Sequence, residues 1–377
     1  MSRRSFFFAG GGTGGHIYPA VAVARKIAEL EPAARIHFFC SCRAIDSQVL
    51  AKTGFEYTKL PAKGLSFRPD RFAGFCASLV RSYRIAKKVI SKSEAPVVIG
   101  VGGFVAAPVC MAGHKLGVPV KLLNVDMAPG RANRIIARWA DEIFVQFEET
   151  AQYFGGSWGT ISVVGCPLRD GFKDPKVGDV TRELGLDENK RTLLITGASS
   201  GSANINEAVC LLLDRLEGFA AGWQIVHLTG VSNYEQVKDM YAGAKISHKV
   251  LGYFDDMPDL LAAADLVVGR SGAVSVAEYA AAGVPSICVP YPYHKDRHQY
   301  LNAGKLVEAG AAVIVDDTAQ ARERAEQLWG ALAALMADDK RRERMKEGCK
   351  KVARLNAAMS IAQRLLEVGR FWIDTGT

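Results

Sequence analysis

Three glycine-rich loops and one dense polar cluster carry most of the chemical content of this sequence. Near the N-terminus Gly10-Gly11-Gly12-Thr13-Gly14-Gly15-His16 precedes an Ala/Val-rich stretch that Pro19 is placed to open as a helix. Glycines expose backbone N–H groups, and a helix start behind them adds about half a positive charge. The loop therefore suits a phosphate or pyrophosphate, with His16 beside it as a proton carrier. Gly197-Ala198-Ser199-Ser200-Gly201 and Gly269-Arg270-Ser271-Gly272-Ala273 repeat the order of strand, small-residue turn and helix. Beyond the second of these, Glu278 stands near a helix start, where a carboxylate can accept hydrogen bonds from two vicinal hydroxyls such as those of a ribose. His294-Lys295-Asp296-Arg297-His298-Gln299 then follows a short apolar strand, at the sheet end where α/β proteins bind ligands.

Two formal matches point to other chemistries. Gly10, Gly12 and Gly15 satisfy the GxGxxG dinucleotide fingerprint. The NAD form of that site wants an acidic residue after the second strand, where Cys40-Ser41-Cys42-Arg43 stands instead, so an NADP-dependent oxidoreductase acting through Arg43 is the form left open. Gly197 to Gly201 also fits the GxSxG nucleophile elbow of hydrolases. That motif belongs to one central sheet with Asp and His following in order, whereas here it opens a second nucleotide-binding half.

Positioning these loops requires alternating strands and helices. Strands are expected at 6–9, 36–40, 97–101, 120–123, 142–145 and 161–164, and the alternation restarts at 193–196, 224–228, 249–251, 266–268, 286–289 and 312–315. A chain of 377 residues exceeds the roughly 150 residues of one typical core. The expectation is an α/β protein of two Rossmann-like, doubly wound parallel-sheet domains, at 1–165 and 166–355, with a cleft between them and a C-terminal helix over 356–377 packing back on the first. From about Thr318 the pattern is helical and charged, and Lys340-Arg341-Arg342-Glu343-Arg344 reads as a solvated helix face.

Composition removes several classes. With 49% hydrophobic and 23% charged residues the chain is globular rather than disordered. The apolar run from Val97 to Gly113 is broken by glycines and Pro108, so it reads as strand, turn and helix rather than a membrane span. The eight cysteines lack CxxC or zinc spacing, which suits free thiols in a reducing compartment. A net charge of +8 suits anionic partners: nucleotide phosphates, a pyrophosphate lipid, an acidic membrane or nucleic acid.

Four motifs in matching order give the sequence a family likeness: Gly11-Gly12-Thr13-Gly14-Gly15-His16, Gly100-Val101-Gly102-Gly103-Phe104, Arg270-Ser271-Gly272-Ala273 continuing to Glu278 and Gly283, and His294-Lys295-Asp296-Arg297. Over nearly its whole length the chain resembles the MurG family of glycosyltransferases. The resemblance implies metal-independent, inverting transfer of N-acetylglucosamine from UDP-N-acetylglucosamine to an undecaprenyl-pyrophosphoryl-muramoyl-pentapeptide. It implies no cofactor and no nucleic acid, and a peripheral enzyme at the cytoplasmic face of the inner membrane. A MurG-like enzyme using another UDP-sugar or lipid acceptor is the neighbouring alternative.

Carried over by position, the resemblance implies acceptor-pyrophosphate contacts at Thr13, Gly14, Gly15, Gly102 and Gly103, with His16 as base or acceptor-positioning residue. For the donor it implies Glu278 on the ribose, Arg169 and Ser199 at the phosphates, the helix start at Ala273, Val274 and Ser275 beside them, and Gln299 on the sugar hydroxyls, with Arg270 and His298 also among the donor-binding residues. Where the family usually shows His-Glu-Gln-Asn, this chain has Leu123-Asn124-Val125-Asp126, so that Asp126 takes a catalytic or acceptor-side place. Cys166, Ser200 and His298 likewise replace the usual Asn, Gln and Gln. Between Phe67 and Ile90, Phe72, Phe75, Leu79, Val80 and Ile85 alternate with Arg68, Arg71, Arg81, Arg84, Lys87 and Lys88. This basic amphipathic pattern fits an anionic membrane surface or, equally, a Rossmann helix with a solvated basic face.

Overall fold

The computed structural model describes residues 3–11, 14–64, 69–157, 159–198 and 201–374. The chain forms two compact units, Met1–Leu168 with Asn356–Thr377, and Arg169–Leu355. In the first, β1 (Ser5–Ala9), α1 (Gly14–Leu30), β2 (Arg35–Ser41), α2 (Ala44–Ala51), β3 (Glu56–Leu60) and α3 (Pro69–Ile90) make one wing. The other wing is β4 (Pro96–Gly100), α4 (Gly103–Lys115), β5 (Val120–Asn124), α5 (Arg131–Ile136), β6 (Glu142–Val145) and β7 (Thr160–Val163). All seven strands are parallel, in the order β3-β2-β1-β4-β5-β6-β7.

The central strands are buried on both faces, which is why β1 reads as Phe6-Phe7-Phe8 and β4 as Val97-Val98-Ile99 rather than as an alternating pattern. Strand β3 was not expected from the sequence. As an edge strand it is half-exposed, and Glu56-Tyr57-Thr58-Lys59-Leu60 lacks the continuous apolar run that marks its neighbours.

The second unit runs α6 (Val177–Leu184), β8 (Arg191–Thr196), α7 (Ala203–Cys210), α8 (Leu213–Leu216), β9 (Trp223–Leu228), α9 (Tyr234–Met240) and β10 (Ser247–Leu251). It continues α10 (Met257–Ala262), β11 (Leu266–Gly269), α11 (Ala273–Ala282), β12 (Ser286–Cys288), α12 (His298–Glu308), β13 (Ala312–Ile314), α13 (Ala321–Ala337) and α14 (Asp339–Val352). Its six parallel strands are ordered β10-β9-β8-β11-β12-β13, the same winding about a central pair. The core gathers Leu193, Ile195, Ile225 and Val268 from the sheet with Leu328, Leu332 and Leu335 of α13.

The charged run at the start of α14 is not wholly solvated, as the sequence suggested. Arg342 is 4% exposed, its guanidinium 4.9 Å from the Trp223 ring centroid, where it donates to the Met336 carbonyl oxygen at 3.1 Å. The last helix, α15 (Ala357–Asp374), belongs to the first unit and packs on α1. It buries Ile361 and Leu365 completely, worth about 1.5–3 kcal/mol each. Arg364 Nη1 reaches Glu142 Oε1 at 2.7 Å and Ser162 Oγ at 2.8 Å, tying the helix to β6 and β7.

Helix α3 packs on α4 and turns Ser78, Ser82, Ala86 and Ile90, one residue in four, toward the interior. Phe72 and Val80 are each 46% exposed, Phe75, Leu79 and Ile85 are half-buried, and Arg81, Arg84, Lys87 and Lys88 face solvent. Among the described residues no helix is long and apolar enough to cross a membrane.

Candidate active site

In a doubly wound sheet the crevice for a ligand opens at the carboxyl ends of the two strands where the winding reverses. In the first unit these are β1 and β4. The glycine loop follows one and Gly102-Gly103 the other, so residues some ninety positions apart in sequence share one sheet edge by topology. The helix after β1 does not start at Pro19, as the sequence suggested, but at Gly14, with Pro19 inside it. The N–H groups of Gly14, Gly15 and His16 therefore belong to a first helical turn and have no intrahelical acceptor, which gives them one common direction.

Gly102 and Gly103 have φ of 123° and 74°, a region L side chains rarely adopt. A Cβ on Gly102 would lie 2.8 Å from His16 Cδ2 and 2.9 Å from His16 Nε2, and one on Gly103 would lie 2.6 Å from the Gly11 carbonyl oxygen. The two loops thus close on each other with the His16 ring against the Gly102 backbone. Asn133 Oδ1 lies on the same spot, 3.3 Å from the Gly102 Cβ position. Its Nδ2 donates to Asn124 Oδ1 at 2.9 Å, and Asn124 Nδ2 donates to the Asp126 carbonyl oxygen at 2.7 Å. Asp126 enters this arrangement through its backbone. Asn124 stands in the altered motif of the sequence, but only folding pairs it with Asn133 and sets Asn133 at the Gly102 backbone against which His16 lies. Thr13 lies outside the described residues.

In the second unit the reversal falls between β8 and β11. The loop after β8 is tight: Gly201 has φ 74°, and a Cβ there would meet the Thr229 carbonyl oxygen at 2.1 Å. Ser202 caps α7, its hydroxyl accepting the Ile205 N–H at 3.4 Å. Ser199 and Ser200 lie outside the described residues. After β11, Gly272 precedes the α11 start at Ala273, with Ala273 buried and Val274 and Ser275 half-buried.

Glu278 sits in the second turn of α11 with its side chain 13% exposed and Arg169 Nη2 3.8 Å away. Burial pushes its carboxyl up to about 7, the Arg169 guanidinium only partly opposing this. Arg169 is itself held by donation to the Asp255 carbonyl oxygen at 2.8 Å, a loop contact that sequence gave no sign of. Gln299 Oε1 accepts the Tyr291 N–H at 2.9 Å, which directs its amide donors elsewhere. His298, at the start of α12, has Nδ1 2.7 Å from Asp296 Oδ1 and stacks on His294 at 4.2 Å. The structure therefore gathers Arg169 with Glu278, and His298 with Gln299. Arg270 lies beside the second of these groups, its guanidinium 5.6 Å from the Tyr291 ring centroid, but it is committed to protein partners in the interior.

Two doubly wound parallel sheets, each with a glycine-lined switch point, give the chain the architecture of a glycosyltransferase of the two-Rossmann-domain kind. Residues 6–145 match the glycosyltransferase family 28 N-terminal domain and residues 192–365 the glycosyltransferase family 28 C-terminal domain, and the chain belongs to this family. Over 360 residues it is 33% identical to the UDP-N-acetylglucosamine–N-acetylmuramyl-(pentapeptide) pyrophosphoryl-undecaprenol N-acetylglucosamine transferase of Desulforamulus reducens, covering 93% of this chain and 95% of that one. It is 34% identical over 362 residues to the protein of the same name from Caldicellulosiruptor saccharolyticus, covering 95% and 96%. Among solved structures it is similar to MurG of Acinetobacter baumannii, with a TM-score of 0.72 and 25% identity over 97% of this chain and 99% of that one. The fold is also that of the UDP-GlcNAc 2-epimerase of Neisseria meningitidis, at a TM-score of 0.69, 13% identity and coverage of 97% and 100%. Arg43, on which an NADP reading rests, lays its guanidinium 5.7 Å from the Phe104 ring centroid.

Proposed function

We propose that the chain transfers N-acetylglucosamine from UDP-N-acetylglucosamine, with inversion, to undecaprenyl-pyrophosphoryl-muramoyl-pentapeptide in peptidoglycan synthesis. The observation that carries this is identity of about one third, extending through both units, with relatives bearing that name. In the reaction the acceptor hydroxyl attacks the anomeric carbon, the bond from that carbon to the diphosphate breaks, the hydroxyl proton passes to a base, and UDP departs with the electron pair. His16 is the base or the residue that positions the acceptor, with Asp126 and the Asn124–Asn133 amide pair ordering the same edge. The α1 and α4 starts at Gly14, Gly15, Gly102 and Gly103, with Thr13, take the acceptor pyrophosphate. Glu278 receives the ribose hydroxyls and Arg169 stands at the donor phosphates with Ser199. The α11 start at Ala273, Val274 and Ser275 stabilises the charge that develops on departing UDP, while His298 and Gln299 meet the sugar.

The acceptor carries a lipid, and α3 presents Phe72 and Val80 beside four exposed cations. We place this face on the anionic cytoplasmic surface of the inner membrane, where each cation contributes up to about 1 kcal/mol. Calorimetric titration with UDP-N-acetylglucosamine, UDP-glucose and NADPH tests the donor. Selective binding of the first, followed by turnover with the lipid acceptor, is expected, and binding of NADPH alone would overturn the reading. Flotation with anionic vesicles at low salt tests the membrane face, and no binding would remove it.

A further inference from the structure

A buried ionic cluster lies behind the α7 and α11 starts. Arg270 is 8% exposed. Its Nη1 donates to the Val289 carbonyl oxygen at 2.9 Å and its Nη2 to Ser202 Oγ at 2.7 Å, while its own carbonyl oxygen accepts the Tyr279 hydroxyl at 3.0 Å. One residue thus links the cap of α7, the end of β12 and the body of α11. Asp317, 5% exposed and three residues beyond β13, sets Oδ2 2.8 Å from Arg270 Nη1. That approach lies off the N–H direction, so it is an ion pair rather than a directed hydrogen bond. Asp317 Oδ1 accepts Asn204 Nδ2 at 2.8 Å and lies 3.5 Å from Arg324 Nη1. Arg324, on α13 and 2% exposed, donates from Nε to the Asn204 carbonyl oxygen at 3.0 Å and from Nη2 to Glu207 Oε2 at 2.7 Å.

We propose that Asp317, backed by Arg324, is a positioning residue for donor binding: it holds the Arg270 guanidinium so that the starts of α7 and α11 keep one fixed geometry toward the donor diphosphate. The guanidinium is a planar fork whose donors point in set directions. Val289 and Ser202 use two of those directions, and the Asp317 carboxylate supplies the negative charge that keeps the cation inside. A cation this buried, deprived of its carboxylate, seeks another anion or water, and leaving Ser202 and Val289 would free the α7 start from the Arg270 segment that leads into α11. The alternative, in which Arg270 itself clasps the diphosphate, has the opposite consequence, because freeing Arg270 from Asp317 would then keep or strengthen donor binding.

The inference rests on the donor assignment above, so Glu278→Ala is measured alongside Asp317→Asn in the full chain. For Asp317→Asn we expect the KM for UDP-N-acetylglucosamine to rise about tenfold, with kcat within about threefold and the acceptor KM unchanged. Asp317→Glu, which keeps the charge, restores part of the loss. A purely structural role would lower the active fraction, and so kcat, without moving the donor KM. A donor KM for Asp317→Asn equal to or below that of the wild type, while Glu278→Ala weakens the donor, overturns the inference alone. No saturation by UDP-N-acetylglucosamine in the wild type overturns the donor assignment and the inference with it. Should Asp317→Asn fail to fold, Arg324→Lys decides, because it keeps the charge but loses the fork, and the same rise in donor KM is expected.

Discussion

Glu278 is expected to cost the protein stability in exchange for donor recognition, and Glu278→Gln separates the two. The carboxyl is displaced from 4.5 to about 7 by burial, with Arg169 at 3.8 Å as its partial compensation. Because the folded value is the higher one, the carboxyl favours the folded state fully below pH 4.5, and that contribution is lost as pH rises through about 7. At about 1.4 kcal/mol per pH unit the loss has a ceiling of roughly 3 kcal/mol, most of it between pH 5 and 8. Gln keeps the shape and titrates nothing. Urea unfolding of both proteins at pH 5 and 8 should show the wild type losing about 2 kcal/mol more than the variant.

Donor binding should move the other way. The ionised carboxylate is the better acceptor for two ribose hydroxyls, so wild-type affinity for UDP-N-acetylglucosamine should strengthen by up to about tenfold from pH 6 to 8 as Glu278 ionises. Glu278→Gln should bind about tenfold or more weakly at pH 8 and lose this trend. Stability profiles that run parallel to within about 0.5 kcal/mol would refute the account of Glu278 as a carboxyl raised by burial.

Gly102→Ala places a methyl 2.8 Å from the His16 ring at a φ of 123°, so the ring must move. We expect kcat to fall about a hundredfold with donor affinity unchanged by calorimetry, and a folded variant within threefold of wild-type kcat would count against His16. His227 is buried, bonded to Tyr241 and Asn206, and pushed down to about 3 by that burial. With the folded value depressed, its contribution is present above pH 6.5 and is lost as pH falls toward about 3, at roughly 1.4 kcal/mol per pH unit. His227→Gln should therefore flatten the acid limb of a stability profile between pH 6.5 and 4.5. Arg364→Ala removes the α15 cation from buried Glu142 and should cost about 1–3 kcal/mol in unfolding experiments while leaving donor affinity as it was.

The sequence by itself determined the two parallel, doubly wound halves, because strands buried on both faces must read as continuous apolar runs such as Phe6-Phe7-Phe8 and Leu266-Val267-Val268. It also located the switch-point loops, since glycine adopts far more readily than other residues the positive-φ backbone found at Gly102, Gly103 and Gly201. Strand β3 escaped because an edge needs no such run, and the start of α1 was misplaced because Pro19 is tolerated inside that helix. Arg342 escaped because a charged run does not show which of its members turns inward onto Trp223.

Tertiary structure alone decided which partners each functional side chain would have. Arg270 and Glu278 stand on one segment with equal claims on a ligand. Only the packing of α7, β12 and the Asp317 loop commits Arg270 to the interior, while Arg169, far off in sequence, comes to Glu278. Asn133 reaches the Gly102 backbone, against which His16 lies, by the same route, through a strand order that sets β5 beside β4 and β4 beside β1. Such pairings depend on topology and on side-chain direction, and neither is a property of local pattern.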